Sequence, residues 1–196
     1  MNNIRYLISN IDFYEDLYHK ELERSYYYDK IIQYPTTIIF LLIGGVLYSY
    51  NSYFNDEIQQ ILTKLDYTFL ALIALFATSV LITIYFLFKV FHGFTRRYGY
   101  LPYCIQLKER EDELFSYVSE NKEAFQLKND DEILKKTRSL INQDILDYYI
   151  DLTNTNQLIN DNRANNFAKS RNFIFINLIL FFLIGIIGLL PKDILL

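Results

Sequence analysis

Three long stretches of the chain contain no charged side chain, although charged residues are frequent elsewhere. They are residues 35–54, 68–88 and 172–190, and each is rich in apolar side chains. An α-helix needs about 20 apolar residues to cross the roughly 30 Å hydrocarbon core of a bilayer. Core helices of globular proteins seldom run this far without a charged edge. The pattern therefore predicts an all-α integral membrane protein with three transmembrane helices.

Polar helices are predicted on either side of the first two stretches. Residues 10–34 carry apolar or aromatic side chains at steps of three and four, opposite charged ones, which indicates an amphipathic helix. Glycine and proline in the segment 93–102 predict a turn. A charged helix is expected to follow at residues 103–120.

The last predicted helix is unusually long because nothing in its sequence ends it. It begins near Asp130, whose negative charge suits a helix N-terminus. Neither glycine nor proline occurs between Pro102 and Gly185. The helix could therefore continue to Leu190 as one rod of about 90 Å. A hinge within residues 160–166 is the alternative, because asparagine is a middling helix former.

Cations near the ends of the predicted spans indicate the topology. Lysine and arginine are frequent before the first span, after the second and before the third, whereas the connection 55–67 holds only Lys64. Cytoplasmic loops carry this excess of cations, so we expect an inner-membrane protein with a cytoplasmic N-terminus. The predicted regions are a cytoplasmic amphipathic helix (1–34), a transmembrane hairpin (35–92), a cytoplasmic helical region (93–171) and a third transmembrane helix with a short external tail (172–196).

Composition and missing motifs argue against several functions. The formal net charge of −4 and the absence of a long basic stripe argue against constitutive nucleic acid binding. The single cysteine, Cys104, excludes an internal disulfide and is expected to be a packing residue. Signatures of zinc proteases, phosphate-binding loops and nucleophile elbows are missing, and His19 and His92 have no metal-ligand spacing. We therefore expect no enzymatic activity, no cofactor and no metal ion.

Small side chains in the first two spans predict close packing between helices. Gly44 and Gly45 lie in the first span, and Ala71 and Ala74 lie in the second. In lipid, close approach of helix backbones replaces the hydrophobic drive that soluble helices have. The two spans are therefore expected to form a hairpin, and the small-residue faces also favour a homo-oligomer.

A stripe of polar side chains follows the last predicted helix at steps of seven. Asn156, Arg163, Ser170 and Asn177 belong to it, and Asn160 lies beside it. Seven residues fall about 20° short of two full turns, so these side chains share one slowly drifting face. Asn177 places a side-chain amide inside the third span, and burying this polar group in hydrocarbon is costly unless it faces a partner helix or a water-filled cavity.

Two roles for this stripe are open. In the first, Asn177 hydrogen-bonds to another helix of the same chain. In the second, the stripe faces its copies around a symmetry axis, and its residues line a pore or an oligomer interface. The residues of this pore or interface would be Asn156, Asn160, Arg163, Ser170 and Asn177.

The order of elements resembles that of SLATT-type membrane effectors of bacterial anti-phage systems and of the small membrane proteins that accompany CRISPR ribonucleases. The likeness is carried by residues 10–92 and by Asn156, Asn160 and Arg163. It implies an antiviral defence effector that oligomerises and permeabilises the inner membrane when a sensor detects infection. The third span departs from the two-span SLATT pattern.

The function expected from these observations is that of an oligomeric effector that forms a pore or disrupts the membrane. Its partners would be the lipid bilayer, further copies of the chain and a soluble sensor or effector. The alternative is a structural or accessory anchor that recruits a soluble partner through its cytoplasmic helices. A secondary transporter is disfavoured, because three spans provide neither a repeat nor an intramembrane charge.

Overall fold

The computed structural model describes residues 11–54, 64–92 and 98–189, and the regular elements of these ranges are α-helices. The helices are α1 (Ile11–Ile31), α2 (Gln33–Phe54), α3 (Lys64–Phe91), α4 (Cys104–Glu120) and α5 (Asp130–Leu189). The stretches Ile11–Phe54, Lys64–Phe91 and Asp130–Leu189 each hold a segment long and apolar enough to cross a membrane. The all-α prediction is confirmed for the described ranges, as is the position of three long apolar helices.

Pro35 explains why α1 and α2 are separate helices. Proline has no amide hydrogen, so it cannot donate to the carbonyl of Ile31 four residues earlier. The amides of Ile32 and Thr36 still bond to the carbonyl oxygens of Tyr28 and Ile32, with N···O distances of 3.3 and 3.4 Å. The rows of side chains along α1 therefore continue through the junction into α2.

Helix α5 runs without a break for 60 residues. Asn129 caps its start, because its side-chain oxygen accepts a hydrogen bond from the Glu132 amide at 2.9 Å. The Glu132 carboxylate in turn accepts a bond from the Lys128 amide at 2.6 Å. The prediction of one continuous helix is confirmed over Asp130–Leu189.

The chain divides into two units. The first unit comprises Met1–Ser25 and Arg96–Asn160, and the second comprises Tyr26–Thr95 and Asp161–Leu196. The first unit thus holds α4, the start of α1 and the polar half of α5. The second unit holds α2, α3 and the apolar half of α5.

The first unit packs around two tyrosine rings. Tyr18 of α1 and Tyr149 of α5 are both buried, and their ring centroids lie 5.6 Å apart. Helix α4 buries only Leu114 and Val118. Its first residue, Cys104, is exposed, so the expected packing role of this cysteine is wrong.

The second unit has a core of large apolar side chains from α2, α3 and α5. The Tyr53 and Phe69 rings stack within this core, with centroids 4.2 Å apart. The buried members of the core are Ile39, Leu42, Val46, Tyr53, Phe69, Phe76, Val80, Leu87, Ile174 and Ile184. Helices α2 and α3 therefore form the expected hairpin contact through bulky side chains.

The small residues of α2 and α3 play a smaller part in this packing than the sequence predicts. A Cβ on Gly45 would lie 2.6 Å from a ring carbon of Phe181, whereas one on Gly44 would meet nothing within 4 Å. Ala71 and Ala74 are exposed. Of these four residues, Gly45 alone permits a close approach of helices within the chain.

Candidate functional site

The polar stripe lies on the buried face of α5. Asn156, Asn160, Ser170 and Asn177 are 0% exposed, and Arg163 is 2% exposed. A step of seven residues does therefore keep these side chains on one face, as the sequence predicts. Each of these side chains bonds to partners within its own unit. The bonds form two clusters, one pair between α5 and α3, and one bond within α5.

In the first unit, Asn156 pairs with the backbone of Gly99. Its Oδ1 accepts a bond from the Gly99 amide at 2.9 Å, and its Nδ2 donates to the Gly99 carbonyl oxygen at 3.1 Å. One buried amide thereby satisfies both backbone polar groups of that residue. The Leu152 side chain lies where a Cβ at position 99 would stand. Glycine is needed there because the backbone approaches α5 so closely.

Asn160 adds a second set of bonds in the same unit. Its Nδ2 donates to the Glu21 carbonyl oxygen at 2.7 Å and to the Glu21 carboxylate at 2.9 Å, and its Oδ1 accepts a bond from the Tyr98 hydroxyl at 2.9 Å. The amide orientation is fixed, because a carbonyl oxygen can only accept. We name Asn156, Asn160, Tyr98, Gly99 and Glu21 the amide cluster. It fastens the segment after α3 and the start of α1 to α5.

In the second unit, Arg163 joins three helices. Its Nε donates to the Val90 carbonyl oxygen of α3 at 3.0 Å, its Nη2 forms an ion pair with Asp29 of α1, and its guanidinium lies 5.4 Å from the centre of the Tyr28 ring. Val90 belongs to the last turn of α3, where carbonyl oxygens lack amide partners and the helix dipole favours a cation. We name Arg163, Asp29, Tyr28 and Val90 the arginine cluster.

Asn177 bonds to the neighbouring helix within the apolar part of the second unit. Its Nδ2 donates to the Thr83 hydroxyl at 3.0 Å, and this hydroxyl donates to the Ser79 carbonyl oxygen at 2.8 Å. Within the described ranges, Oδ1 of Asn177 has no hydrogen-bond partner. The Ser170 hydroxyl bonds to the Phe167 carbonyl of its own helix at 2.8 Å.

These positions bear directly on the predicted pore or oligomer interface. A side chain that lines a lumen shared by several copies is exposed when one copy is considered alone. Asn156, Asn160, Arg163, Ser170 and Asn177 are at most 2% exposed in the single chain. In this conformation they do not form a lumen, and the structure instead agrees with the first role, hydrogen bonding within one chain.

Two titrating groups of the first unit are perturbed by their surroundings. Burial raises the pKa of the Tyr149 hydroxyl, and the nearby Glu15 carboxylate raises it further. Hydrogen bonds to Asp144 and Glu113, at 2.9 and 3.2 Å, raise the pKa of the exposed Arg110. Tyr149 therefore stays protonated to higher pH than a free tyrosine, which suits its buried position.

Sequence reasoning located the stripe but missed its acidic partners. The charged face predicted for the first helix included neither Glu21 nor Asp29. The steps from Tyr18 to Glu21, Ser25 and Asp29 are three, four and four residues, which is the spacing of one helix face. Glu21 and Asp29 thus share the helix face of Tyr18. This shared face was the sequence signal that could have identified them as partners of the stripe.

Comparison of the chain with models of protein families, with curated proteins and with solved structures gives no match. The resemblance in element order to anti-phage membrane effectors stays a prediction.

Proposed function

We propose that this chain is a three-span integral protein of the inner membrane that anchors a cytoplasmic helical unit and recruits a soluble partner through it. The observation that carries membrane insertion is the exposure of the apolar segments. At most 28% of each apolar window is buried inside the chain, and Phe40 and Phe182 are 70% and 65% exposed. Apolar surface of this extent marks a contact with lipid or protein. Helices satisfy their backbone polar groups internally, so hydrocarbon can cover them.

The anchoring role is supported by the polar contacts inside the chain. The amide cluster and the arginine cluster use the stripe to hold helices together, so the stripe provides no conduction path in this conformation. Helix α4 offers a surface for a partner, because Ile105 and Tyr117 are exposed together with acidic side chains such as Glu109 and Glu113. An exposed apolar and acidic helix suits a partner with a basic, partly apolar face.

Topology is the first test of this proposal. A reporter fused after Leu196 should report the periplasmic side, and one inserted near Asn129 should report the cytoplasm. Cations near the span ends support this orientation, and Lys30 and Lys89 are both exposed. Reporters that give the same side would remove the third span from the proposal.

The second candidate is a self-associating effector that disrupts the membrane in anti-phage defence. The exposure of Gly44, Ala71 and Ala74 favours it, because small residues facing lipid allow a helix of another copy to approach. The resemblance in element order points the same way. In this case a pore is lined by other residues, or the stripe leaves its partners when the effector is activated.

One experiment separates the two candidates. Membrane potential is measured after induced expression of the chain alone and with its genomic neighbours. The matched variants are Ala71→Leu with Ala74→Leu, and Leu75→Ala as a control at another exposed position of α3. Depolarisation that the leucine pair abolishes and the control keeps would establish the effector. A potential that stays unchanged in every strain, with the chain present in the membrane, would support the anchor.

A further inference from the structure

Helices α2 and α3 leave an apolar groove between them in the second unit. Its cavity volume is about 740 Å³, within the range of roughly 300 to 1,000 Å³ that is typical of small-molecule sites. Its apolar lining includes Ile39, Phe40 and Ile43 of α2 and Ile84, Phe88 and Phe91 of α3. Because Phe40, Phe88 and Phe91 are exposed there, the groove is open along its side.

One end of this groove is polar, and the exposed Lys30 precedes that end by about one helical turn. Gln33, Thr36 and Thr37 line that end. Lys30 precedes Gln33 by three residues and Thr37 by seven, which places it on the same side of the continuous helical rows described above. Within the described ranges, Lys30 forms no ion pair, while its neighbour Asp29 is bound to Arg163. The ammonium of Lys30 is therefore available to an anionic group.

The length of the groove matches one leaflet of a bilayer. On α2 it extends over residues 32–43, which corresponds to about 17 Å at 1.5 Å per residue. One half of a hydrocarbon core of about 30 Å is about 15 Å. Its polar end lies at the Lys30 end of α2, on the side that the topology places in the cytoplasm.

We propose that the groove binds a phospholipid of the cytoplasmic leaflet, with an acyl chain against Phe40 and Ile84 and the phosphate at Lys30 and Gln33. This inference rests on the proposed membrane insertion and on neither of the two functional candidates. Basic pockets beside transmembrane helices on the cytoplasmic side bind lipid headgroups in this way. A second copy is a poorer occupant, because a symmetric contact would bring two exposed Lys30 ammonium groups together.

The test uses the full chain in proteoliposomes that contain a lipid with a photoactivatable acyl chain. Three probes are compared: phosphatidylglycerol, phosphatidylethanolamine and a free fatty acid. Labelling on peptides of α2 and α3 is read by mass spectrometry. Ile84→Trp should block the groove and abolish this labelling. Ile179→Trp, at an exposed position of α5, is the matched control and should leave it unchanged.

The phosphate contact is tested with a second pair of variants. Lys30→Ala should lower phosphatidylglycerol labelling about fivefold, the usual contribution of one lysine beside anionic lipid. Lys89→Ala should have no effect, because this ammonium lies 4.7 Å from the centre of the Tyr85 ring and does not line the groove. Equal labelling by the fatty acid and the phospholipids, unchanged by Lys30→Ala, would overturn the phosphate contact.

Two further outcomes overturn the lipid site. The first is equal labelling of Ile84→Trp and Ile179→Trp. The second is efficient disulfide dimerisation of Phe40→Cys in a Cys104→Ser background, which would show that another copy occupies the groove. Carbonate extraction separates these outcomes from a failure of the proposed function. A chain that resists extraction and lacks groove labelling contradicts the lipid site alone, whereas an extracted chain contradicts membrane insertion.

Discussion

Removing either partner of the ion pair between Arg163 and Asp29 should destabilise the second unit, and by different amounts. The Arg163 side chain is 2% exposed, whereas the Asp29 side chain is 41% exposed. Asp29→Ala leaves a buried guanidinium without its carboxylate. Arg163→Met leaves a carboxylate that water can reach. We therefore expect the aspartate substitution to be the more damaging one.

The magnitudes follow from burial and hydrogen bonding. Breaking a buried ion pair typically costs about 3 to 5 kcal/mol, and solvent at Asp29 places Asp29→Ala near the lower end, about 3 kcal/mol. Arg163→Met loses the charge-assisted bond to the Val90 carbonyl but also relieves the desolvation of the guanidinium, for a net cost of about 1 to 2 kcal/mol. The double variant should lose about as much stability as Arg163→Met alone. Once the guanidinium is gone, removing the Asp29 carboxylate leaves no buried charge without its partner. The coupling energy is then about 3 kcal/mol, the full cost of Asp29→Ala alone.

Thermal unfolding in detergent, followed by circular dichroism at helix wavelengths, measures these differences. At roughly 2 to 4 °C per kcal/mol, Asp29→Ala should lower Tm by about 6 to 12 °C and Arg163→Met by about 2 to 8 °C. Lys20→Ala removes an exposed pair with Asp16 and should shift Tm by at most about 2 °C. Equal Tm values for wild type, Asp29→Ala and Arg163→Met would refute the arginine cluster. A larger loss for Arg163→Met than for Asp29→Ala would refute the burial argument.

Three further predictions concern single side chains. The raised pKa of Tyr149 keeps its hydroxyl protonated in the folded state. The stability that this hydroxyl contributes is therefore present below about pH 10 and is lost as pH rises through the pKa of the folded state. Tyr149→Phe should remove this alkaline loss of stability in denaturant titrations, and an unchanged pH profile would contradict the prediction. Gly99→Ala should cost about 1 to 3 kcal/mol by contact with Leu152, and Leu152→Ala should partly restore the Tm. Asn177→Leu should change the free energy of unfolding by less than about 1 kcal/mol, because one interhelical hydrogen bond in lipid is weak and leucine suits hydrocarbon. A Tm loss above about 4 °C would show that the amide is essential for stability.

The helices could be predicted because their signals are local. Residues 35–54, 68–88 and 172–190 lack charge, and hydrocarbon tolerates such segments only as helices with satisfied backbone groups. The end of α2 and the start of α5 follow from the same kind of local pattern. The length of α5 can be predicted because glycine and proline, the residues that interrupt helices most strongly, are missing from residues 130–184.

The contacts between helices could not be predicted in the same way. Periodicity places Asn156 and Arg163 on one face of α5, but it does not show what covers that face. Gly99 and Asp29 lie 57 and 134 residues away from their partners in the sequence, and one sequence carries no record of such pairing. The small-residue pattern misled for a related reason, because Gly45 and Ala71 look equally suited to packing while only the glycine meets another helix.

The polar clusters also constrain how the chain could act as an effector. Apolar packing selects weakly among helix arrangements in lipid, because hydrocarbon competes for the same contacts. Polar partners select more strongly, since each buried donor needs its acceptor. Opening the arginine cluster costs about 3 kcal/mol, and releasing the five hydrogen bonds of Asn156 and Asn160 adds about 1 kcal/mol for each. A total of about 8 kcal/mol would keep an open form near one molecule in 10⁶, so a trigger would have to favour that form about 10⁶-fold to populate it. A lipid, a detergent or expression alone should therefore not open the stripe, whereas a partner that binds the open form tightly could do so.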